Sequence, residues 1–184
     1  MKSLAEAAQA IQQINIVRHT IIDDGQFPNN ALFPLIVLQK AIPSPNARLL
    51  EEIFESNRWV SSWRNGIYDY HHYHSTAHEV LGVTRGTGRV QFGGPSGITI
   101  PLEAGDVVII PAGVAHKRIE SEDDFEVVGA YPEGQQYDIK KGDKDDRPKA
   151  DENIKRVPLP QSDPVYGIDG PLIKNWSTSP NASQ

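Results

Sequence analysis

The chain has 184 residues, no cysteine and a formal net charge of −6 at neutral pH, with an isoelectric point near 5.5. That length suits one domain burying roughly 70% of its unfolded surface, and the acidity argues against nucleic acid or an anionic membrane as partner. Without thiols there are no disulfides and no thiolate metal ligands; no apolar run is long enough to span a bilayer. Met1-Lys2-Ser3-Leu4-Ala5-Glu6 lacks the apolar core of a secretory signal, so a cytoplasmic protein is expected.

Ser3 and Glu6 form a capping-box pattern ahead of Ala7, Ala8, Ala10, Ile11 and Ile14, which predicts a short N-terminal helix. Residues 16–22 read as a strand closed by Asp23-Asp24-Gly25, Phe27-Pro28-Asn29-Asn30 as a loop, and Leu35 to Leu38 as a buried strand. Asn46 opens a second helix with Leu49, Leu50, Ile53 and Phe54 on one stripe. From Trp59 the pattern changes to short strands punctuated by glycine and proline. They are expected at 59–63, 67–74, 79–85, 88–92, 98–102, 106–110 and 125–131. No helix-length segment separates them, which excludes parallel βαβ units and indicates an antiparallel sandwich or jelly-roll barrel.

Lys140 to Arg156 mixes both charge signs with few apolar anchors, so by itself it reads as loop or disorder. Beyond it, Val157-Pro158-Leu159-Pro160, Val165-Tyr166 and Pro171-Leu172-Ile173 alternate apolar groups with rigid prolines, the pattern of an extended arm laid across a surface. The chain therefore divides into an N-terminal segment (1–57), a barrel core (58–131) and a polar loop with the arm (132–184), all within one structural domain without internal repeat.

Five of the six histidines fall in two short segments. In an extended strand His72 and His74 share a face about 7 Å apart. A carboxylate on the next strand, Glu79, and a third imidazole on a hairpin, His116, would complete a mixed N/O sphere suited to Fe, Mn, Ni or Zn. His71 faces outward by parity, His19 has no partner in sequence, and His78, adjoining Glu79, is the alternative fourth ligand. Parity places Tyr68 and Tyr70 with the first two histidines, Leu81 and Val83 with Glu79, and Arg118 with His116, so these five are expected to line a substrate pocket. Arg118 either presents a cation to an anionic substrate or pairs with Glu120 or Glu122. Trp59 and Trp63 are assigned to the core or an interface.

Gly66, His72, His74, Glu79 and Gly86 satisfy the pattern G(X)5HXH(X)3–4E(X)6G, and Gly105, Pro111, Gly113 and His116 satisfy G(X)5PXG(X)2H(X)3N except at its last position, where Glu120 stands. These two motifs resemble those of the cupin superfamily. The run HYHSTAHEVLG, with Phe27-Pro28-Asn29-Asn30 upstream and Val157-Pro158-Leu159-Pro160 downstream, is similar to single-domain cupins of the YjlB-like branch. The resemblance implies a mainly β, cupin-type antiparallel jelly-roll barrel with two short N-terminal helices and an extended C-terminal arm. It also implies one divalent transition metal held by His72, His74, Glu79 and His116, and a homodimer. The first functional expectation is O2-dependent, dioxygenase-type chemistry on a small oxygenated molecule, with Glu79, Tyr70 and Arg118 as catalytic or orienting groups. A Lewis-acid isomerase, lyase or hydrolase is the second, and a non-catalytic ligand-binding barrel the third.

Overall fold

The computed structural model describes residues 13–177. The expected N-terminal helix lies outside the described residues except at its C-terminal edge. Nine strands follow: β1 (Asn15–Ile21), β2 (Asn30–Gln39), β3 (Trp59–Asn65), β4 (Glu79–Arg85), β5 (Thr87–Phe92), β6 (Ile98–Glu103), β7 (Val107–Ile110), β8 (His116–Ser121) and β9 (Glu126–Pro132). Three helices accompany them: α1 (Ala47–Ser56), α2 (Lys149–Arg156) and α3 (Pro171–Trp176).

Strand alternation sorts the apolar residues onto two faces of one sheet. The six-stranded sheet runs β1-β2-β7-β4-β9-β3, every pair antiparallel, and the three-stranded sheet runs β6-β5-β8. Leu35, Val37, Leu81, Val83, Val108 and Ile110 point between the sheets and meet Val90, Phe92 and Leu102 of the smaller one. Their neighbours Ile36, Leu38, Val80, Val107 and Ile109 point the other way, against Leu50 and Phe54 of α1 and Leu172 and Trp176 of α3. Burial on both faces explains why these strands read as continuous apolar runs rather than alternating ones. Because β2 pairs with β7, the N-terminal strands belong to the wall itself. Asn46 caps α1 as expected, its side-chain oxygen accepting from Leu49 N–H at 2.9 Å.

Two departures from the expected strands matter. Residues 67–74 do not form a regular strand; they touch the sheets through isolated bridges, His72 to His116 and Tyr73 to Lys140. The strand that pairs with β5 is instead His116–Ser121, whose charged residues masked it in the sequence.

The C-terminal region is more ordered than its composition suggests. Residues 144–146 form a 3-10 turn and 149–156 form α2, whose Ala150 is sealed against Phe27, Tyr73 and Ala115. Acidic residues occupy the first turn of α2 and basic ones its last, which complements the helix dipole. The arm docks on its own chain: Trp59 Nε1–H donates to Ser162 O at 2.9 Å, and Trp176 Nε1–H donates to Pro34 O at 2.8 Å.

Arg147 ties this region to the N-terminal loop. Its guanidinium donates to Asp23 Oδ1 at 2.8 Å and to Asp151 Oδ2 at 2.8 Å, and the Arg147 hydrogen bonds hold both carboxyls below their usual range. A lowered carboxyl pKa stabilises the fold above the unfolded value, and that stability disappears as pH falls through the folded value. Arg147→Ala is therefore expected to cost about 1 kcal/mol at neutral pH, a modest figure because Asp23 is partly solvated. Urea denaturation of both proteins should show the difference shrinking as pH falls below about 4 and gone only once both folded-state carboxyls are protonated.

Candidate metal centre

The irregular segment 66–78 is held in place residue by residue. Arg118 N–H donates to Tyr68 O at 2.9 Å, His72 and His116 exchange backbone bonds at 3.2 and 2.9 Å, and Gly113 N–H donates to His74 O at 2.8 Å. The hairpin carrying His116 is gripped from its other side by the loop Phe27-Pro28-Asn29-Asn30. Asn30 Nδ2 donates to Ala112 O at 3.0 Å, and Asn29 Oδ1 accepts from Ala115 N–H at 3.1 Å. Gly113 has φ 95° and lies so close to this loop that a Cβ would meet Asn29 O at 2.3 Å, so no side chain fits there.

This scaffold gathers His72, His74 and His116, all buried, with one ring nitrogen from each within 4.8 Å of the others. Each ring is locked through its other nitrogen on a backbone carbonyl: His72 Nδ1 on Tyr70 O at 3.2 Å, His116 Nδ1 on Val114 O at 3.1 Å, and His74 Nδ1 on Asp138 O. A carbonyl only accepts, so each Nδ1 carries its proton, and Nε2 is the nitrogen available to a metal. The donor set fits a divalent transition metal on that ground.

Glu79 joins the three imidazoles, with Oε2 at 3.1 Å from His74 Nε2 and 3.2 Å from His116 Nε2. Burial pushes the Glu79 carboxyl up, but the His74 charge and the two histidine hydrogen bonds outweigh it, so the group sits below the usual carboxylate range. Burial works against protonation of His74 too, and there Glu79 prevails and raises it. Burial and the neighbouring His116 depress His72 to about 3. A metal entering the site therefore displaces a proton, and its affinity falls as pH is lowered.

Glu79 and His78 turn to opposite sides of the sheet. On β4, Glu79 shares the inner face with Leu81, while His78 falls on the outer side and packs against Trp176, ring centroids 4.8 Å apart. His78 Nδ1 accepts from Ala112 N–H at 2.9 Å, which makes it a support for the hairpin. His71 also points away, against Phe27.

Above the histidines opens a cavity of about 610 Å³. Tyr68, Leu81 and Arg118 line it as expected. Tyr70 and Val83 do not. Tyr70 leaves the cavity because 66–71 is not a strand and parity has no force there; it stacks on Tyr68 at 4.8 Å beneath Lys141. Val83 is sealed in the inter-sheet core. Arg118 pairs with neither expected acid: Glu120 bonds Arg89, and Glu122 accepts from Thr87 N–H. Trp63 packs against the inner core, as assigned, and also faces the cavity. Equal parity would put it beside Trp59, but a bulge between Val60 and Trp63 turns β3 over. Trp59 joins the outer core, and Trp63 lies in the cavity across Gly129, where a Cβ would meet its ring at 2.2 Å. Tyr131, Tyr137 and Phe125 also line the cavity and were not singled out from sequence. Tyr131 shares an inner-face parity with Val127, a signal that was present, whereas Tyr137 lies in a segment without periodicity.

His74→Ala and His116→Ala are expected to lower metal affinity by more than the roughly 10- to 100-fold that follows loss of a supporting group alone. His78→Ala is expected to keep its metal and lose thermal stability instead, since Ala112 N–H loses its acceptor. Metal content per chain and melting curves of the three variants check this.

Comparison with known proteins places these observations. The cupin domain family model matches residues 63–131, which include both histidine motifs. Over 154 residues the chain is 46% identical to Uncharacterized protein YjlB of Bacillus subtilis (strain 168), covering 84% of this chain and 92% of that protein. Similar solved structures include procruciferin, an 11S globulin from Brassica napus (15% identity, TM-score 0.36, 60% of this chain and 23% of that one). Acireductone dioxygenase from Bacillus anthracis, with a cadmium ion in its active centre, is another (14% identity, TM-score 0.34, 71% and 84%). The chain thus spans about a quarter of the procruciferin chain and most of the dioxygenase. With both histidine motifs in place and a relative matched almost end to end, the chain belongs to the YjlB-like, single-domain cupins.

Proposed function

We propose that this protein is a metal-dependent enzyme acting on a small oxygenated organic molecule, with O2-dependent, dioxygenase-type chemistry as the leading reaction class. The observation that carries the reading is the set of three buried imidazoles, each fixed on a backbone carbonyl, at the base of an open cavity. A bound divalent iron, manganese, nickel or zinc ion supplies Lewis acidity toward a chelating oxygen donor and, where it is redox-active, activation of O2. His72, His74 and His116 hold the ion. Glu79 adds a carboxylate as fourth ligand or nearby base. Tyr68 and Arg118 orient the substrate, and the apolar wall of Trp63, Leu81 and Phe125 excludes water from it.

One feature favours a second reading, a Lewis-acid isomerase, lyase or hydrolase. Tyr131 OH accepts from Trp63 Nε1–H at 2.9 Å, and burial together with the Glu79 charge raises its pKa. A phenol kept protonated beside a buried carboxylate suits proton transfer without oxygen.

Metal analysis of protein purified without chelator, followed by an oxygen-electrode assay over a panel of small keto and dihydroxy compounds, tests the proposal. Bound iron or nickel with substrate-dependent oxygen uptake is the expected result. Tight zinc with turnover but no oxygen uptake would transfer support to the second reading; there Tyr131→Phe should cost about 100-fold in turnover, against a small effect in the oxygen-dependent case. A metal-filled protein without turnover would favour ligand binding alone. Assembly as a homodimer rests on family resemblance and belongs to the same proposal; sedimentation equilibrium reads it.

A further inference from the structure

We propose that the cavity takes a small monoanionic carboxylic acid with a flat apolar body, its carboxylate held by Arg118; this rests on the reading of the histidine cavity as a ligand site. Arg118 is the cavity's uncommitted cation. Its Nε–H donates to Ile67 O at 3.1 Å, which fixes the guanidinium plane, and none of the ion pairs among the described residues includes it. The cavity's other arginine, Arg64, is already forked onto Glu51 by two bonds of 2.6 Å. An anchored guanidinium with its two terminal amino groups available matches the two oxygens of a carboxylate, a geometry that lysine lacks.

Two further observations narrow the class. Glu122 and Asp123 line the same cavity and are exposed, so a dianion such as a phosphate monoester meets about twice the repulsion that a single carboxylate meets. Part of the remaining wall is apolar: Trp63, Ile67, Leu81 and Phe125 inside, with Tyr68 and Tyr137 each 48% exposed at the rim. Aromatic faces left open to water around a cavity of this size are the surfaces a planar ring covers on binding.

The test measures binding of benzoate, benzamide and phenyl phosphate by calorimetry and tryptophan fluorescence, on metal-loaded and metal-stripped protein and on Arg118→Gln and Arg118→Lys. Benzoate is expected to bind both forms of the wild-type protein about tenfold or more tighter than benzamide or phenyl phosphate, the worth of one charge-assisted contact. Arg118→Gln should erase the preference for benzoate over benzamide, and Arg118→Lys should retain only part of it. Continued binding of benzamide by Arg118→Gln shows that the variant is folded, and the wild-type comparison stands without any variant. The proposal is overturned by equal binding of benzoate and benzamide, by no binding of benzoate, or by Arg118→Gln retaining the preference. If stripping the metal abolishes benzoate binding while Arg118→Gln leaves it intact, the carboxylate sits on the histidines: the Arg118 assignment falls and the metal reading survives. Benzoate held by Arg118 in a protein that takes up no metal would do the reverse.

Discussion

Three hydrogen bonds from imidazole to backbone carbonyl define this molecule's chemistry. A histidine ring in a buried pocket has two equivalent-looking nitrogens, and only a partner on one of them decides which faces inward. Here the partners are the carbonyls of Tyr70, Val114 and Asp138, each set by the course of a different stretch of chain. Backbone carbonyls cannot titrate or swing away as side chains can, so the orientation of the rings is as rigid as the loops that supply them. This is why so much of the surrounding structure is devoted to fixing loops: Asn29 and Asn30 on the second hairpin, Gly113 pressed against them, and α2 sealing Ala150 beneath.

A sheet buried on both faces is the second constraint. The inner face of β4 and β7 must be apolar to fill the barrel, and the outer face must be apolar to receive α1 and α3. In such a strand a polar residue stands out on either side. Glu79 is retained on the inner face because His74 and His116 meet its charge; His78 is retained on the outer face because Ala112 and Trp176 meet its ring. Adjacent in sequence, the two residues serve opposite sides of the wall.

What was legible in the sequence follows from where period-two alternation holds. It holds on β4, where parity with Glu79 placed Leu81 in the cavity but could not tell how deep the cavity reaches, so Val83 falls in the core below it. It fails where the chain leaves regular structure. Tyr70 and Tyr68 were treated as strand neighbours of the histidines, yet that stretch follows no strand, and only Tyr68 reaches the cavity. Trp63 is turned to the cavity side by a single extra residue in β3, a bulge that no spacing rule announces. The order in α2 was hidden because its apolar anchors are few: Ala150 fills a small gap, and Ile154 lies against Gly113, contacts visible only once the tertiary partners are in place.

The carbonyl that steadies His74 belongs to Asp138, beyond the residues 63–131 that the cupin family model matches. Asp138 is itself bound to Ser75, whose hydroxyl also meets Asn153 of α2. The support of the histidine cluster therefore extends past the matched span. A chain trimmed to the matched span would keep every motif residue, yet one of its three imidazoles would be free to spin.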